Sequence, residues 1–434
     1  MACSIHAMAD GDTYATEYAS SEAGLIAALA AAGTGGIVQC GPGDLTITTV
    51  IAVPEKAKLI LGVGTYTISG SGAFTLANKA TISGKDTHST VIAASADTSV
   101  TAVIQPAATD GTQQSVYIEG LLINGGKGLG ATVTYGIYLK GVYVGTYIRD
   151  TTVIACSGNG ICIDGGESSP GTGQLVLWNV TVTTCNDDNI LILSGCDGIF
   201  GYQVSSESVA AGKAQLHIKH TGTGSLSNFG HYFLGVHMEG TTACDGIWLE
   251  KCANCLFDGV TYDGTNASNV VKITGTGSGS DGAYAASGHT FRNVFGNYAT
   301  IIDDQTAGVT VGNTQSRWVA FYSSPSAAAG AINHQTIGIQ AQMQGQDVAS
   351  TAAMTLGNGN FFTITGTADI TSITTAARDK GRIVTLLFSG TAAATGLTDG
   401  SNLKLSADLG YTPDDTITLI SNGTNWYEMG RSVN

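Results

Sequence analysis

Apolar positions along this chain follow one short element that keeps returning. It reads apolar, any residue, small or Asn/Asp, then mostly apolar or β-branched. Copies are Ile118-Glu119-Gly120-Leu121, Ile148-Arg149-Asp150-Thr151, Leu177-Trp178-Asn179-Val180, Phe233-Leu234-Gly235-Val236, Phe257-Asp258-Gly259-Val260 and Phe291-Arg292-Asn293-Val294. A weaker copy lies near Phe200. The spacing, roughly 23 to 34 residues, is in the range of solenoid coils. An alternating segment follows each copy: "GIYLKG" from Gly136, "GICIDG" from Gly160, "NILILSG" from Asn189, "QLHIKHT" from Gln215, "GIWLEK" from Gly246 and "NVVKITG" from Asn269. Alternation points Ile137/Leu139, Ile161/Ile163, Ile190/Ile192, Leu216/Ile218 and Ile247/Leu249 one way. Short strands at a fixed period with variable turns between them describe a parallel β-helix, whose coils stack about 4.8 Å apart.

Two features support that register and its limits. Cys156 and Cys185 each lie eight residues after the first residue of their element, so they fall in one column on neighbouring coils. A solenoid also needs caps. "SSEAGLIAALAAAG" (20–33) reads as a short helix capped by Ser20 or Ser21, with Leu25, Ile26 and Leu29 on its apolar face and Gly33 at its end. The strands "GIVQC", "LTITTVIAV" and "KLILGVGTYTISG" then begin the stack. Residues 1–19 form an N-terminal arm, 20–315 the β-helix and 316–350 a neck containing "SSPSAAAGAINHQ". Over 351–434 the pattern changes to antiparallel-looking strands between Gly/Asn/Asp turns, a small sandwich-like β-domain.

Composition narrows the function classes. The net charge is −15 and no Lys/Arg cluster exists, which excludes the basic surface a nucleic-acid partner requires. Charged residues make up 12% of the chain, with 60 Gly and 6 Pro, a mixture suited to short strands and tight turns. "GLIAALAAAG" (24–33) is about half the length of a membrane span, so insertion is not expected. No secretory signal opens the chain, which points to synthesis in a cytoplasm and action outside only after lysis or as part of a particle. Nine cysteines are scattered over a long chain. Cys252-Ala-Asn-Cys255, with Cys244 nearby, is the one arrangement resembling a metal site; no second CxxC and no HxxxH follows, so buried small hydrophobes and no cofactor are expected.

The opening "SEAGLIAALAAAGTGGIVQCGPGDLTIT" resembles the entry of pectate-lyase-like right-handed β-helices, where a helix and a Gly-rich turn lead into a first coil containing "PG". The chain is similar to phage tail spikes and tail fibres of that fold. "GRIVTLLFSG", "SNLKL" and "TITLISNGTNWYEM" resemble the small terminal domain of phage tail proteins. The resemblance implies a homotrimer on a virion tail that recognises a host surface polysaccharide, with other tail proteins as partners through the N-terminal arm. It covers about residues 20 to 315 for the coils and implies little about activity, because the fold hosts lyases, hydrolases and non-enzymes.

Outward positions of the second strand are Tyr138, Cys162, Leu191, His217 and Trp248, with Leu193 beside Leu191. Such a face predicts a cover: a neighbouring subunit first, otherwise a long turn or a sugar. Trp178, Trp248, Tyr138 and His237 are the stacking and hydrogen-bonding candidates for a glycan. Glycosidic cleavage needs two carboxylates about 5 Å apart for retention or roughly 6.5–9.5 Å for inversion. Two sets qualify. Asp187 and Asp188 resemble the adjacent pair of polygalacturonase-like β-helices, although the accompanying "NTD", "GHG" and "RIK" motifs are missing. Their alternative is a turn column: Asn159, Asp188 and Asp245 each precede Gly or Asn, the signature of a left-handed or Asx turn. Glu239 and Asp263 each follow their Phe by six residues and stack if their coils are neighbours; the alternative is solvated turn-edge acids in a column with Asn124 and Asn297.

Overall fold

The computed structural model describes residues 3–12, 15–107, 115–142, 144–166, 171–220, 228–240, 243–264, 269–274, 289–296, 302–304, 317–323, 345–357, 359–375 and 379–434. Two compact units divide the chain, residues 1–330 and 331–434. The first is a parallel β-helix. Each coil contributes a strand to a long sheet, then one to a second sheet, and in the later coils a two-residue strand to a narrow third sheet. One turn of the solenoid thus runs Val176–Thr183, Ile190–Ile192, Cys196–Asp197 and back to Phe200–Glu207.

The inward register is the one the alternation predicts. Ile137, Ile161, Ile190, Leu216 and Ile247 pair in succession, as do Leu139, Ile163, Ile192, Ile218 and Leu249, all fully buried. Cys156 and Cys185 are likewise buried neighbours whose side chains meet. In the long sheet the rings of Phe233, Phe257 and Phe291 stack at 5.3 and 5.1 Å. One coil earlier the same column holds Gly201, whose missing Cβ would lie 2.2 Å from the Phe233 ring. That gap explains why the repeat fades near Phe200.

The third position of the repeating element has a backbone cause. Gly120, Asp150, Asn179, Gln203, Gly235, Gly259 and Asn293 all have φ between 47° and 70°. This left-handed conformation is open to Gly and tolerated by Asn and Asp. It breaks the alternation, so Arg149 and Asp150 both face outward between inward Ile148 and Thr151. Each long strand is thereby bent into two arms. Side chains tie the corners together: Asn179 Nδ2 donates to Asp150 Oδ1 at 2.8 Å, and Asn293 Nδ2 to Asp258 Oδ1 at 2.8 Å.

The helix spans Glu22–Ala32, with the Ser21 hydroxyl accepting from Gly24 N and Gly33 ending it. Its buried face is Leu25, Ala28, Leu29 and Ala32; Ile26 is exposed, because a single step turns it about 100° from Leu25. The Glu22 carboxylate accepts from Thr48 and Thr49, which fixes the helix to the first coils. The described part of residues 1–19 is not a free arm. Ile5–Met8 pairs antiparallel with Thr16–Tyr18 and with Ile37–Cys40, and Cys3, Ile5 and Ala7 are buried.

Two further boundaries change. Arg317–Ser323 pairs in parallel with Thr290–Gly296, so the stack runs into the segment assigned to the neck; residues 324–344 of that neck lie outside the described residues. The C-terminal unit has its own core, including Phe362, Phe388 and Trp426. Its main sheet is mixed rather than antiparallel. Ile383–Phe388, Thr416–Ser421 and Trp426–Ser432 pair antiparallel, whereas Val348–Ala349, Phe361–Thr365 and Ile383–Phe388 pair in parallel. Connections longer than a tight hairpin allow the chain to return in the same direction.

The corner column gives a direct test. Asn179→Gly should be nearly neutral in urea unfolding followed by circular dichroism. Asn179→Val, which must hold a β-branched residue at positive φ, should lose about 1–2 kcal/mol.

Candidate functional site

The outward face of the long sheet, before its corner, carries two columns rich in aromatic and apolar side chains. One runs Tyr117, Tyr147, Val176, Phe200 and Tyr232; the other runs Arg149, Trp178, Tyr202 and Leu234. Neighbouring rings touch: Tyr117–Tyr147 at 4.9 Å, Phe200–Tyr232 at 5.4 Å and Trp178–Tyr202 at 5.3 Å. Trp178 is nevertheless 47% exposed, Tyr232 43% and Leu234 38%. Gly145, Tyr147, Arg149, Asp150, Val176 and Trp178 line an open groove of about 510 Å³ on this face. Glu119 positions its polar edge, accepting from Arg149 Nη2 at 2.7 Å and from the Tyr147 hydroxyl at 3.1 Å. Burial, reinforced by the Glu119 carboxylate, pushes the Tyr147 phenol up to about 12, so it remains a donor. Among the expected glycan contacts, Trp178 belongs to this groove. Arg149 and Tyr147 line it as well, without having been among those candidates; Arg149 occupies the second position of the repeat, in the same column as Trp178.

Beyond the corner, the outer face of the same strands is polar. Glu207, Glu239 and Asp263 pair in succession, so the two expected acids do stack on neighbouring coils, with Glu207 as a third. The coil spacing places adjacent members about 4.8 Å apart at the backbone and the outer pair about 9.6 Å apart. Glu239 and Asp263 are exposed. His237 lies two positions before Glu239 on the same face, its Nδ1 3.0 Å from Thr261 Oγ1. The register extends this column back to Asn124 through Ile154 and Thr183; Asn297 lies outside the described residues.

The second sheet separates the other candidates from this face. Its outward column is Tyr138, Cys162, Leu191, His217, Trp248 and Lys272. It is not an uncovered apolar strip, because neighbouring polar side chains close over it. Tyr138 stacks on Tyr135 at 4.8 Å and donates to Asp164 Oδ2 at 2.7 Å. His217 stacks on Trp248 at 4.3 Å, and Lys272 Nζ sits 3.9 Å above the Trp248 ring while pairing with Asp245 at 3.0 Å. Cys162 and His217 are buried, and the indole of Trp248 donates to Thr274 Oγ1 at 2.7 Å.

Asp188 and Asp187 prove different from each other. Asp188 has no left-handed φ and closes no local turn. Its Oδ1 accepts from Ala214 N at 2.7 Å on the next coil, and its Oδ2 meets His217 Nδ1 at 2.7 Å. Asn159 and Asp245 also lack positive φ, so the turn column is replaced by bonds between coils: Asn159 Nδ2 donates to Asp188 O, and Asn269 Nδ2 to Asp245 Oδ1. Asp187 is half exposed and ion-paired with Lys213. The adjacent carboxylates therefore diverge to different cations.

His217 lies between two acids. Its Nε2 is 3.3 Å from Glu250 Oε2, within ion-pair range but not aligned as a hydrogen bond, and Lys219 reaches the same oxygen at 3.3 Å. Burial alone would lower the imidazole pKa. The hydrogen bond to Asp188 and the charges of Asp188 and Glu250 outweigh it and hold His217 above its ordinary value. A raised folded-state pKa adds stability that is full below the ordinary value and disappears as pH rises through the folded one. Urea midpoints should therefore fall between about pH 5.5 and about pH 8.5, either side of the ordinary histidine value near 6.5. Asp188→Asn should cost about 1–3 kcal/mol and flatten that dependence, since the neutral amide leaves a buried imidazolium short of a counter-charge.

No protein-family model and no curated protein sequence matches the chain. Solved structures of similar fold include ORF18 of Geobacillus virus E2, at 10% identity and TM-score 0.43, covering 87% of this chain and 68% of that one. Another is the Dettilon tailspike protein gp208, at 10% identity and TM-score 0.43, covering 88% and 69%. A third is the endo-xylogalacturonan hydrolase of Aspergillus tubingensis, at 12% identity and TM-score 0.42, covering 74% and 99%.

Proposed function

We propose that this chain is a tail-spike-type protein that binds a surface polysaccharide on the outward face of its long sheet. The observation that carries the reading is the strip of exposed Arg149, Trp178 and Tyr232 with half-buried Tyr147, Val176 and Tyr202, beside a groove of about 510 Å³. Aromatic faces match the C–H faces of sugar rings, while Arg149, Asp150 and the Tyr147 hydroxyl offer hydrogen bonds to their hydroxyl groups. The homotrimer, the virion location and the other tail proteins as partners come with the sequence resemblance and are proposed with it. The chain's net charge of −15 fits a neutral or weakly charged glycan better than a strongly anionic one.

A second reading, polysaccharide cleavage on the same scaffold, is favoured by the row Glu207, Glu239 and Asp263 with His237 beside it. Neighbouring coils supply the retaining separation, and next-but-one coils approach the inverting one.

On a glycan array and by calorimetry with the best hit, Trp178→Ala should weaken binding about tenfold, equivalent to ~1.4 kcal/mol. Unchanged affinity would move the sugar site off this face. Release of reducing ends that disappears in Glu239→Gln while binding persists establishes the enzyme; a bound polysaccharide that is never cut leaves the binding protein. A monodisperse monomer by mass measurement overturns the trimer.

A further inference from the structure

The corner leading into the later strands of the long sheet holds a group that the function above does not use. Cys252 lies in the narrow sheet, and Cys255 immediately precedes strand Leu256–Gly264. His289 precedes strand Thr290–Gly296, one coil further on: Thr290 N donates to Cys255 O at 2.8 Å. All three side chains are buried, and among the described residues they are the one His/Cys/acid group whose ligand atoms lie within 4.8 Å of one another. His231 occupies the same column one coil before Cys255, with Leu256 N donating to His231 O at 2.8 Å. Cys244 belongs elsewhere, 3.5 Å from the Tyr262 hydroxyl.

We propose that Cys252, Cys255 and His289 bind a zinc(II) ion, with His231 as the fourth ligand. Several observations converge. Cys-x-x-Cys is the usual zinc spacing, and a tetrahedral site needs its ligand atoms roughly 3.5–3.8 Å apart; Cys252, Cys255 and His289 lie within 4.8 Å of one another, and His231, outside that group, swings in to complete the site. Nδ1 of His289 faces the Cys255 backbone N–H at 3.3 Å. Nδ1 therefore carries no proton, and its one lone pair, which accepts this long N–H bond, turns to the ion when zinc binds. Ile199 N likewise donates to His231 Nδ1 at 3.3 Å, so in both neutral rings the proton sits on Nε2, which is buried with no hydrogen-bond partner. The Cys255 thiol's own bond, to Ala253 O, is long at 3.7 Å. Two thiolates balance the charge of Zn2+, so the filled site takes no net charge into the buried corner, whereas copper(I) would leave −1. Binding releases the two thiol protons to solvent. The ion would link consecutive coils at the foot of the strands that carry Glu239 and Asp263.

The test uses the full chain. Protein folded with zinc sulfate and passed over a chelating resin should retain about one zinc per chain by elemental analysis. Cobalt(II) substitution should give the visible bands of a tetrahedral thiolate site, and a strong chelator should lower the melting temperature. The Cys252→Ala/Cys255→Ala variant should lose the metal. Less than about a tenth of an equivalent in the wild-type chain overturns the proposal, as does full zinc retention in the double variant. The wild-type measurement decides even if the variant fails to fold. Retention of copper(I) but not zinc, in a parallel titration, overturns the zinc assignment.

Discussion

Parallel hydrogen bonding between successive coils is the constraint on which the rest of the β-helix depends. It places each side chain beside its counterpart one coil away, about 4.8 Å off. Contacts are therefore decided by column rather than by sequence neighbourhood. Phenyl rings meet phenyl rings in the Phe233–Phe257–Phe291 stack, an imidazole, an indole and an ammonium stack in His217–Trp248–Lys272, and carboxylates meet carboxylates in Glu207–Glu239–Asp263. A one-residue slip would turn every inward side chain outward. The corner column adds a second lock, because the same slip would force residues such as Val180 or Val260 into positive φ.

That constraint explains what could be read from the sequence. Inward alternation and the Gly/Asn/Asp position of the repeat are local backbone demands, so they show in every coil. The stacking of Glu239 on Asp263 also followed, because both are counted from the same element. Asp188 was harder. Its Asn/Asp-then-Gly/Asn context matches a turn, but its partners are Ala214 and His217, more than 25 residues away and one coil on. The metal-like cysteines are obscured in the sequence for a similar reason. A search for a second ligand pair at ordinary spacing passes over His289, which only the coil period brings close. The N-terminal strands Ile5–Met8 and Thr16–Tyr18 are too short for periodicity to reveal, and their antiparallel pairing has no counterpart in the repeat.

Charge is scarce in this chain, and its placement divides the outer surface. On the second sheet, lysines and acids are spent on one another and on the rings between them: Lys140 with Asp164, Lys219 with Glu250, Lys272 with Asp245. An apolar column there does not mean an open apolar face, since long side chains from the adjoining column cover it. On the long sheet, the column beside Tyr147 and Phe200 contributes Trp178, Tyr202 and Leu234, and Trp178 and Leu234 stay exposed, with Arg149 reaching over Tyr147 instead. Exposed aromatic area is left where the neighbouring outward column is itself apolar.

The corner then governs what a bound polymer could meet. Aromatic strip and acid row lie on the two arms of the same strands, separated by Asn179, Gln203, Gly235 and Gly259. A sugar chain lying along the solenoid axis would follow the two adjoining columns from coil to coil. It would touch Tyr147, Val176, Trp178 and Tyr202 without approaching Glu239. A chain lying across the strands would have to follow the bend, resting on the aromatic arm while reaching the acids on the other. Binding alone is compatible with either course. Cleavage by this acid row, with the aromatic strip as its anchor, requires the second, so the direction of the bound glycan separates a receptor-binding surface from an active site.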